Sequence, residues 1–272
     1  MSRVTSKEGL FIDSDKPELI QKKIYADPEV NSALQNMPKI TFPNSQTSEN
    51  GIKIYLHNIQ SLGKHFNDLL KDIRCKNADI ICLTETWLTS RQNVNLFEMN
   101  GFKFHQISRE DSYDCTDPQV SQLRASKGGG VAVYIKETAL NKIVSSLPVT
   151  NVEGISVYCL QEDIVVVTVY RPNSQNVTQF LMQLEKLIKN YRSQNKFLVF
   201  LGDFNEDATS AGPIQTFMID QGFKQIVDFK TTEGATILDH VYLSKSLKGK
   251  VEKLSTYYSY HDALILTIIS ST

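Results

Sequence analysis

The apolar run Phe197-Leu198-Val199-Phe200-Leu201 has the length of a strand, and Gly202-Asp203-Phe204-Asn205 follows it without a break. A buried strand that ends in an acid and an amide delivers polar side chains to a cleft at its end. The same tetrapeptide also suits an ordinary turn in which Asp and Asn bond their own backbone. Its meaning therefore depends on the rest of the chain.

Other apolar runs end in the same way. Ile52-Lys53-Ile54-Tyr55-Leu56 leads to His57-Asn58, and Asp79-Ile80-Ile81-Cys82-Leu83 to Thr84-Glu85-Thr86-Trp87. Ile164–Val169 runs into Tyr170-Arg171-Pro172-Asn173, and Thr236-Ile237-Leu238 into Asp239-His240. Ser259-Tyr260-His261-Asp262 stands just ahead of the apolar run Ala263–Ile269. The order Asn, Glu, Tyr with Asn, Asp with Asn, Asp, then His resembles that of the endonuclease/exonuclease/phosphatase family. The resemblance runs from about residue 51 to the end and is closest to the retrotransposon and Helitron endonucleases of that family.

The resemblance implies a mixed α/β (α+β) domain, a four-layer sandwich of two mostly antiparallel sheets flanked by helices. It also implies a metal-dependent DNA endonuclease that hydrolyses phosphodiester bonds by in-line attack of water. Such chemistry needs charge neutralisation and a base. Glu85, a hard oxygen ligand, suits Mg²⁺ (or Mn²⁺), with Asn58 as a neutral oxygen donor or a holder of a metal-bound water. His261 is the expected base, or the electrostatic partner of the scissile phosphate, with Asp239 fixing its tautomer. Asp203 would orient or deprotonate the water. Asn205, two residues on and so on the same side of a strand, would bond the phosphate. Tyr170 would donate to the phosphate, with Asn173 beside it and Thr232 preferred over Thr231 as a further contact. A solvated acid at Glu85, a turn at Asn173 and structural roles for His65, His105 and His240 are the plainer readings. The same residues could serve a small phosphoester in a phosphomonoesterase or phosphodiesterase, or a non-catalytic DNA-binding module. One departure stands out: relatives read Ser-Asp-His where this chain has Ser259-Tyr260-His261, so the acid before the histidine is missing.

Residues 1–50 differ from the rest. They are polar and end in a Pro43–Asn50 linker-like stretch, and Ser2–Ile12 resembles the last motif of the superfamily-1 helicases fused to Helitron endonucleases. No GxxxxGK[ST] phosphate loop accompanies it. The expected organisation is a helicase-end remnant and linker over 1–50 and a catalytic domain over 51–272. With 41% apolar residues in 272 the chain can bury a large core. A net charge of −1 announces no overall basic field, so any surface for duplex DNA must be local. Arg109, Arg124 and Lys127, before the Gly128-Gly129-Gly130 run, could grip a nucleic-acid backbone or be solvated loop charge. Cys75, Cys82, Cys115 and Cys159 lack CxxC spacing, which favours reduced thiols. No membrane partner is expected, since no apolar segment approaches the roughly 18 residues of a membrane span. The expected location is intracellular, and nuclear if the substrate is genomic DNA.

Helical periodicity is clear in two places. Phe66, Leu69, Leu70 and Ile73 recur at i, i+3, i+4, i+7, and Val177, Phe180, Leu181, Leu184, Leu187, Ile188 and Tyr191 continue such a stripe over four turns. Gly212-Pro213 predicts a third helix start. Gly130–Ile135, Ile155–Leu160 and Ile164–Tyr170 read as hairpin neighbours.

Overall fold

The computed structural model describes residues 51–139 and 141–269. The helicase-end remnant and linker expected over 1–50 lie outside the described residues. Two six-stranded sheets form the domain. The first orders as β3 (Phe102–Ile107), β4 (Val131–Lys136), β2 (Ile80–Thr84), β1 (Gly51–Asn58), β12 (Ala263–Ile269) and β11 (Lys248–Leu254). The second orders as β5 (Lys142–Ser146), β6 (Glu153–Cys159), β7 (Ile164–Tyr170), β8 (Phe197–Asp203), β10 (Asp239–Ser244) and β9 (Phe223–Gln225). Both sheets are antiparallel except at the centre, where β1 runs parallel to β2 and β7 to β8.

A parallel pair needs a crossover. In the first sheet it is made by α1 (Leu62–Lys71) and α2 (Ile73–Lys76), in the second by α5 (Val177–Ser193). Side chains alternate across each strand, and this builds the layers. Ile54 and Leu56 of β1, Val133 of β4, Val166 of β7 and Val199 and Leu201 of β8 meet in one core between the sheets. Tyr55, Ile81 and Tyr134 face outward onto Leu62 and Leu69 of α1, whereas Val165, Val167 and Phe200 face outward onto Phe180, Leu184 and Ile188 of α5. Helix, sheet, sheet, helix is the four-layer sandwich expected. Each of these buried aliphatic or aromatic side chains contributes roughly 1.5–3 kcal/mol.

Local signals set the helix ends. Asn176 caps α5 by accepting from Gln179 N, and Pro213 opens α6 (Pro213–Asp220), whose first free N–H groups at Ile214 and Gln215 donate to the Glu206 carboxylate at 3.1 and 2.9 Å. The first helical stripe is shorter than expected. Asp72 ends α1 and caps α2 by accepting from Arg74 N at 2.9 Å, so Ile73 leaves the buried face and is 72% exposed. The hairpin expectation holds for β6 and β7 but not for β4, which pairs with β2 and β3 in the other sheet. The strand expected at Thr236–Leu238 begins only at Asp239. Two short helices, α3 (Arg109–Ser112) and α4 (Ser121–Ala125), occupy the polar excursion before β4. All four cysteines are free, and three are buried. Among the described residues no helix is long and apolar enough to cross a membrane.

Candidate active site

The inner-face parity of the strands carries one step beyond the core and places polar groups at a common end of the sandwich. Asn58 follows Leu56 on β1, Asp203 follows Leu201 on β8, Tyr170 is the last residue of β7, and Asp239 precedes Val241 on β10. Register then sets Tyr170 opposite Asp203 and Asp203 opposite Asp239. The close approach of β7 and β8 there requires glycine. Gly202 has φ +149, and a Cβ at this position would lie 1.8 Å from the Val169 carbonyl oxygen.

Asn58, Asp203, Asp239 and His261 form one polar cluster. His261 Nδ1 lies 2.7 Å from Asp239 Oδ2, and Asn58 Nδ2 donates to Asp203 Oδ2 at 2.8 Å. Asn58 Nδ2 is also 3.3 Å from His261 Nε2, which stands 4.0 Å from Asp203 Oδ2. The histidine arrives from a loop, not a strand. Ser259 Oγ donates to Asn58 O at 2.6 Å and accepts from His261 N at 3.2 Å, while the His261 backbone bridges to Thr232. Asn205 lies beyond the end of β8 with φ +47, so it does not share a strand face with Asp203 as expected. A turn brings it back: Asn205 N donates to Asp203 Oδ1 at 2.9 Å, and its amide donates to Arg171 O at 2.9 Å. Gly202–Asn205 therefore ends in a turn that also places Asp203 and Asn205 at the common end of the sandwich.

A second group adjoins the first. Glu85 follows β2, whose last residue Thr84 pairs with Asn58. Its Oε1 accepts from the Tyr170 hydroxyl, and its Oε2 accepts from Trp87 Nε1 and from Gly129 N at 2.8 Å. Glu85 and Trp87 both hold left-handed backbone, φ +54 and +56, a conformation that costs of order 1 kcal/mol or more for such residues and concentrates at functional sites. Gly129 is obligatory here for another reason: with φ +72, a Cβ would meet Glu153 Oε2 at 2.3 Å and Arg109 Nε at 2.4 Å.

Burial dominates the electrostatics. It pushes the Asp203 carboxyl well above the ordinary carboxylate range, with Asp239 across the register adding to the effect. Burial pulls His261 down, but Asp239, Asp203 and Glu85 outweigh it and hold the imidazole at about 9. Burial likewise raises the Tyr170 hydroxyl, reinforced by Glu85, so it stays a donor. His57, fully buried on the opposite parity, is lowered to about 4 by burial. His240 is lowered for the same reason, stacks on Phe204 and bonds Glu206 O at 2.8 Å, a structural role.

The donor set fits a hard divalent cation held sparsely. An ionised carboxylate has about four acceptor positions, and Glu85 uses three. Asn58 Oδ1 receives only a 3.3 Å contact from Gln60 N. Asp239 Oδ1 is buried without a partner. Among the described residues no group of three His, Cys, Asp or Glu side chains is gathered for a metal. Few protein ligands and several waters is the Mg²⁺ pattern. Asp262 does not replace the missing acid, because its carboxylate pairs with Lys253 at 3.4 Å.

Asn58, Glu85, Tyr170, Asp203, Asn205, Asp239 and His261 are thus brought together. Asn173 is not: it is exposed on the loop after β7. Thr232 adjoins His261 through the backbone, but its hydroxyl is engaged by Thr236 Oγ1 at 2.6 Å, and Thr231 Oγ1 instead accepts from the Asp239 backbone at 3.2 Å. The sequence reading missed the buried support. Arg171 donates to Phe204 O and Asn205 O at 2.7 Å each and clamps the turn after Asp203. Glu153, wholly buried, pairs with Arg109 at 2.7 Å and accepts from Gly130 N at 2.5 Å, which fixes the glycine run against Glu85. An acid between Val152 and the apolar run from Ile155 was the available signal. Arg109 is consequently a buried brace, not a residue free to grip a backbone.

Comparison with known proteins agrees with this architecture. A search of curated proteins gave no match. Among solved structures, the endonuclease domain of TRAS1, a telomere-specific non-LTR retrotransposon, superposes with a TM-score of 0.60 at 13% identity, covering 82% of this chain and 100% of that one. The 3′ phosphatase NExo from Neisseria, bound to a product DNA hairpin, gives 0.56 at 18% identity over 79% and 98% of the two chains. An AP endonuclease from Archaeoglobus fulgidus gives 0.56 at 15% identity over 79% and 98%. These likenesses describe the fold. The sequence profile of the endonuclease/exonuclease/phosphatase family matches residues 56–261, so the chain belongs to that family.

Proposed function

We propose that the chain is a Mg²⁺-dependent DNA endonuclease of transposon origin that hydrolyses phosphodiester bonds by in-line attack of water. The observation that carries this reading is the clustering of Asp239, His261, Asn58 and Asp203 beside the Tyr170–Glu85 pair at one end of the sandwich. The TRAS1 neighbour is a retrotransposon endonuclease domain and the Neisseria neighbour is bound to a DNA hairpin, which supports DNA as the substrate.

Asp203, raised by burial, is a carboxylate basic enough to take a proton from the attacking water. His261, held at about 9, is the imidazolium that faces the phosphate, and Asp239 keeps its ring oriented. Of the two roles expected for His261, the electrostatic one fits this environment better than that of base. Asn58 holds Asp203 in line, and Asn205 completes its polar shell. Mg²⁺ held by Glu85 and Asn58 would neutralise phosphate charge as a Lewis acid. Water adds to phosphorus, the bond to O3′ breaks, and the products are a 5′-phosphate and a 3′-hydroxyl whose proton comes from solvent. Supercoiled plasmid tests the reading: nicking with Mg²⁺ and none with chelator is expected, and intact plasmid under both conditions contradicts it.

A further inference from the structure

A cavity of about 430 Å³ opens beside the site, within the roughly 300–1,000 Å³ range of small-ligand pockets. Trp87, Arg124, Ser126, Lys127 and Gly128 are among its lining residues. Gly128 forms the shared wall: a Cβ there would lie 3.3 Å from both Glu85 Oε2 and Trp87 Nε1. The pocket therefore adjoins Glu85 across Gly128.

Its chemistry is that of a nucleotide. Trp87 is tied to Glu85 through the indole nitrogen, yet the residue remains 48% exposed and offers an aromatic surface at the rim. Arg109, braced by Glu153, donates to Ser126 Oγ at 2.8 Å and Lys127 O at 3.0 Å and so fixes the loop that carries the cations. Lys127 is exposed on that loop. Arg124 approaches Glu110 at 3.5 Å through one terminal nitrogen, but its Nε is buried without a partner. Aromatic surface for a base and cationic donors for a phosphate, in one cavity, form the pairing that binds single strands.

We infer that this pocket binds the nucleotide adjoining the scissile phosphate on a DNA strand, its base against Trp87 and its phosphate at Arg124 and Lys127. The inference rests on the reading above that the neighbouring residues cleave DNA. It makes the local basic surface that a chain of net charge −1 needs for DNA a small one, beside the site.

Trp87 is the only tryptophan in the chain, so intrinsic fluorescence reports on the pocket directly. In chelator, a single-stranded tetradeoxynucleotide should quench it saturably. The Arg124→Ala/Lys127→Ala double variant should raise the midpoint by about tenfold or more and lower the salt slope by roughly 0.7 per lost phosphate contact. Lys127→Glu, a change on an exposed loop, should shift the midpoint the same way and guards against misfolding of the double variant. Absence of quenching, or unchanged midpoints in both variants, overturns the proposal. So does a mononucleotide that binds as tightly as the tetramer, because the pocket would then serve a free nucleotide. Plasmid nicking separates the two readings. Quenching without nicking contradicts hydrolysis and leaves the pocket standing; nicking with an unchanged KM in both variants does the reverse.

Discussion

The two parallel strand pairs apply one device twice and obtain different results. In each sheet a central pair, β1 with β2 or β7 with β8, is joined by a helical crossover and ends in polar residues, as ligand sites commonly form at the C-terminal ends of parallel strands. The β7–β8 end is closed. Asp203 is 1% exposed, opposed by Asp239 and sealed by the Arg171 clamp, and burial raises its carboxyl above the ordinary range. The β1–β2 end is open. Glu85 is partly exposed, lies just past its strand on left-handed backbone, and is propped by Gly129 N. On the proposed reading, the carboxylate set in register and desolvated handles protons, whereas the one lifted out of register onto a glycine-built loop offers lone pairs to a ligand.

The largest test of this contrast is removal of the imidazole held at the closed end. His261→Ala should slow plasmid nicking by about 10²–10⁴, with the thermal melt checking that the fold persists. Nicking at the wild-type rate contradicts the placement of His261 against the phosphate.

The closed environment should also show in stability against pH. His57 is neutral in the folded protein, with its pKa lowered from 6.5 to about 4 by burial. Between those values the unfolded chain binds more protons, so this contribution is complete above about pH 6.5 and is lost as pH falls towards 4, a loss of about 3 kcal/mol. Glu153, raised by burial to about 7, acts in the opposite sense below that pH. The comparison that isolates His57 is therefore wild type against His57→Gln, whose melting temperature should fall less between pH 7 and pH 5.

At the open end the expected effect is on metal demand. Glu85→Gln should raise the Mg²⁺ concentration for half-maximal nicking by roughly 10- to 100-fold, while Asp203→Asn lowers the rate at saturating Mg²⁺ and moves that midpoint little. Equal shifts in both variants would erase the distinction between the two ends.

The smallest effect concerns Tyr260, which stands where the family resemblance leads one to expect an acid. It is 40% exposed, so Tyr260→Asp should be tolerated by the fold and lower the Mg²⁺ midpoint several-fold by adding a carboxylate near the site. A well-folded variant with an unchanged midpoint argues that this position does not serve the metal.

What the sequence made legible follows the same division. Residues that continue the parity of a strand were readable, because apolar alternation announces the strand and the polar residue ends it: Asn58 after Leu56 and Asp203 after Leu201 are examples. The long stripe of α5 and the Pro213 start of α6 were readable for similar local reasons. Contacts made across sheets were not. β4 and β6 are successive apolar runs in different sheets, and nothing local marks that change. Asn205 is reached by a turn, Ile73 is displaced by the Asp72 cap, and Glu153 gains its meaning only when Arg109 folds over it. Those depend on backbone geometry that residue spacing does not encode.

The most direct measurement is a double-mutant cycle across the two ends, with Glu85→Gln, Asp203→Asn and the double variant compared on supercoiled plasmid at the Mg²⁺ concentration that half-saturates the wild type. Groups that act as one centre are strongly non-additive. The account predicts that each single variant loses most of the activity and that the double variant is scarcely slower than the worse single one. Full additivity of two modest losses, or wild-type nicking in either single variant, would contradict the claim that both ends serve one phosphodiester.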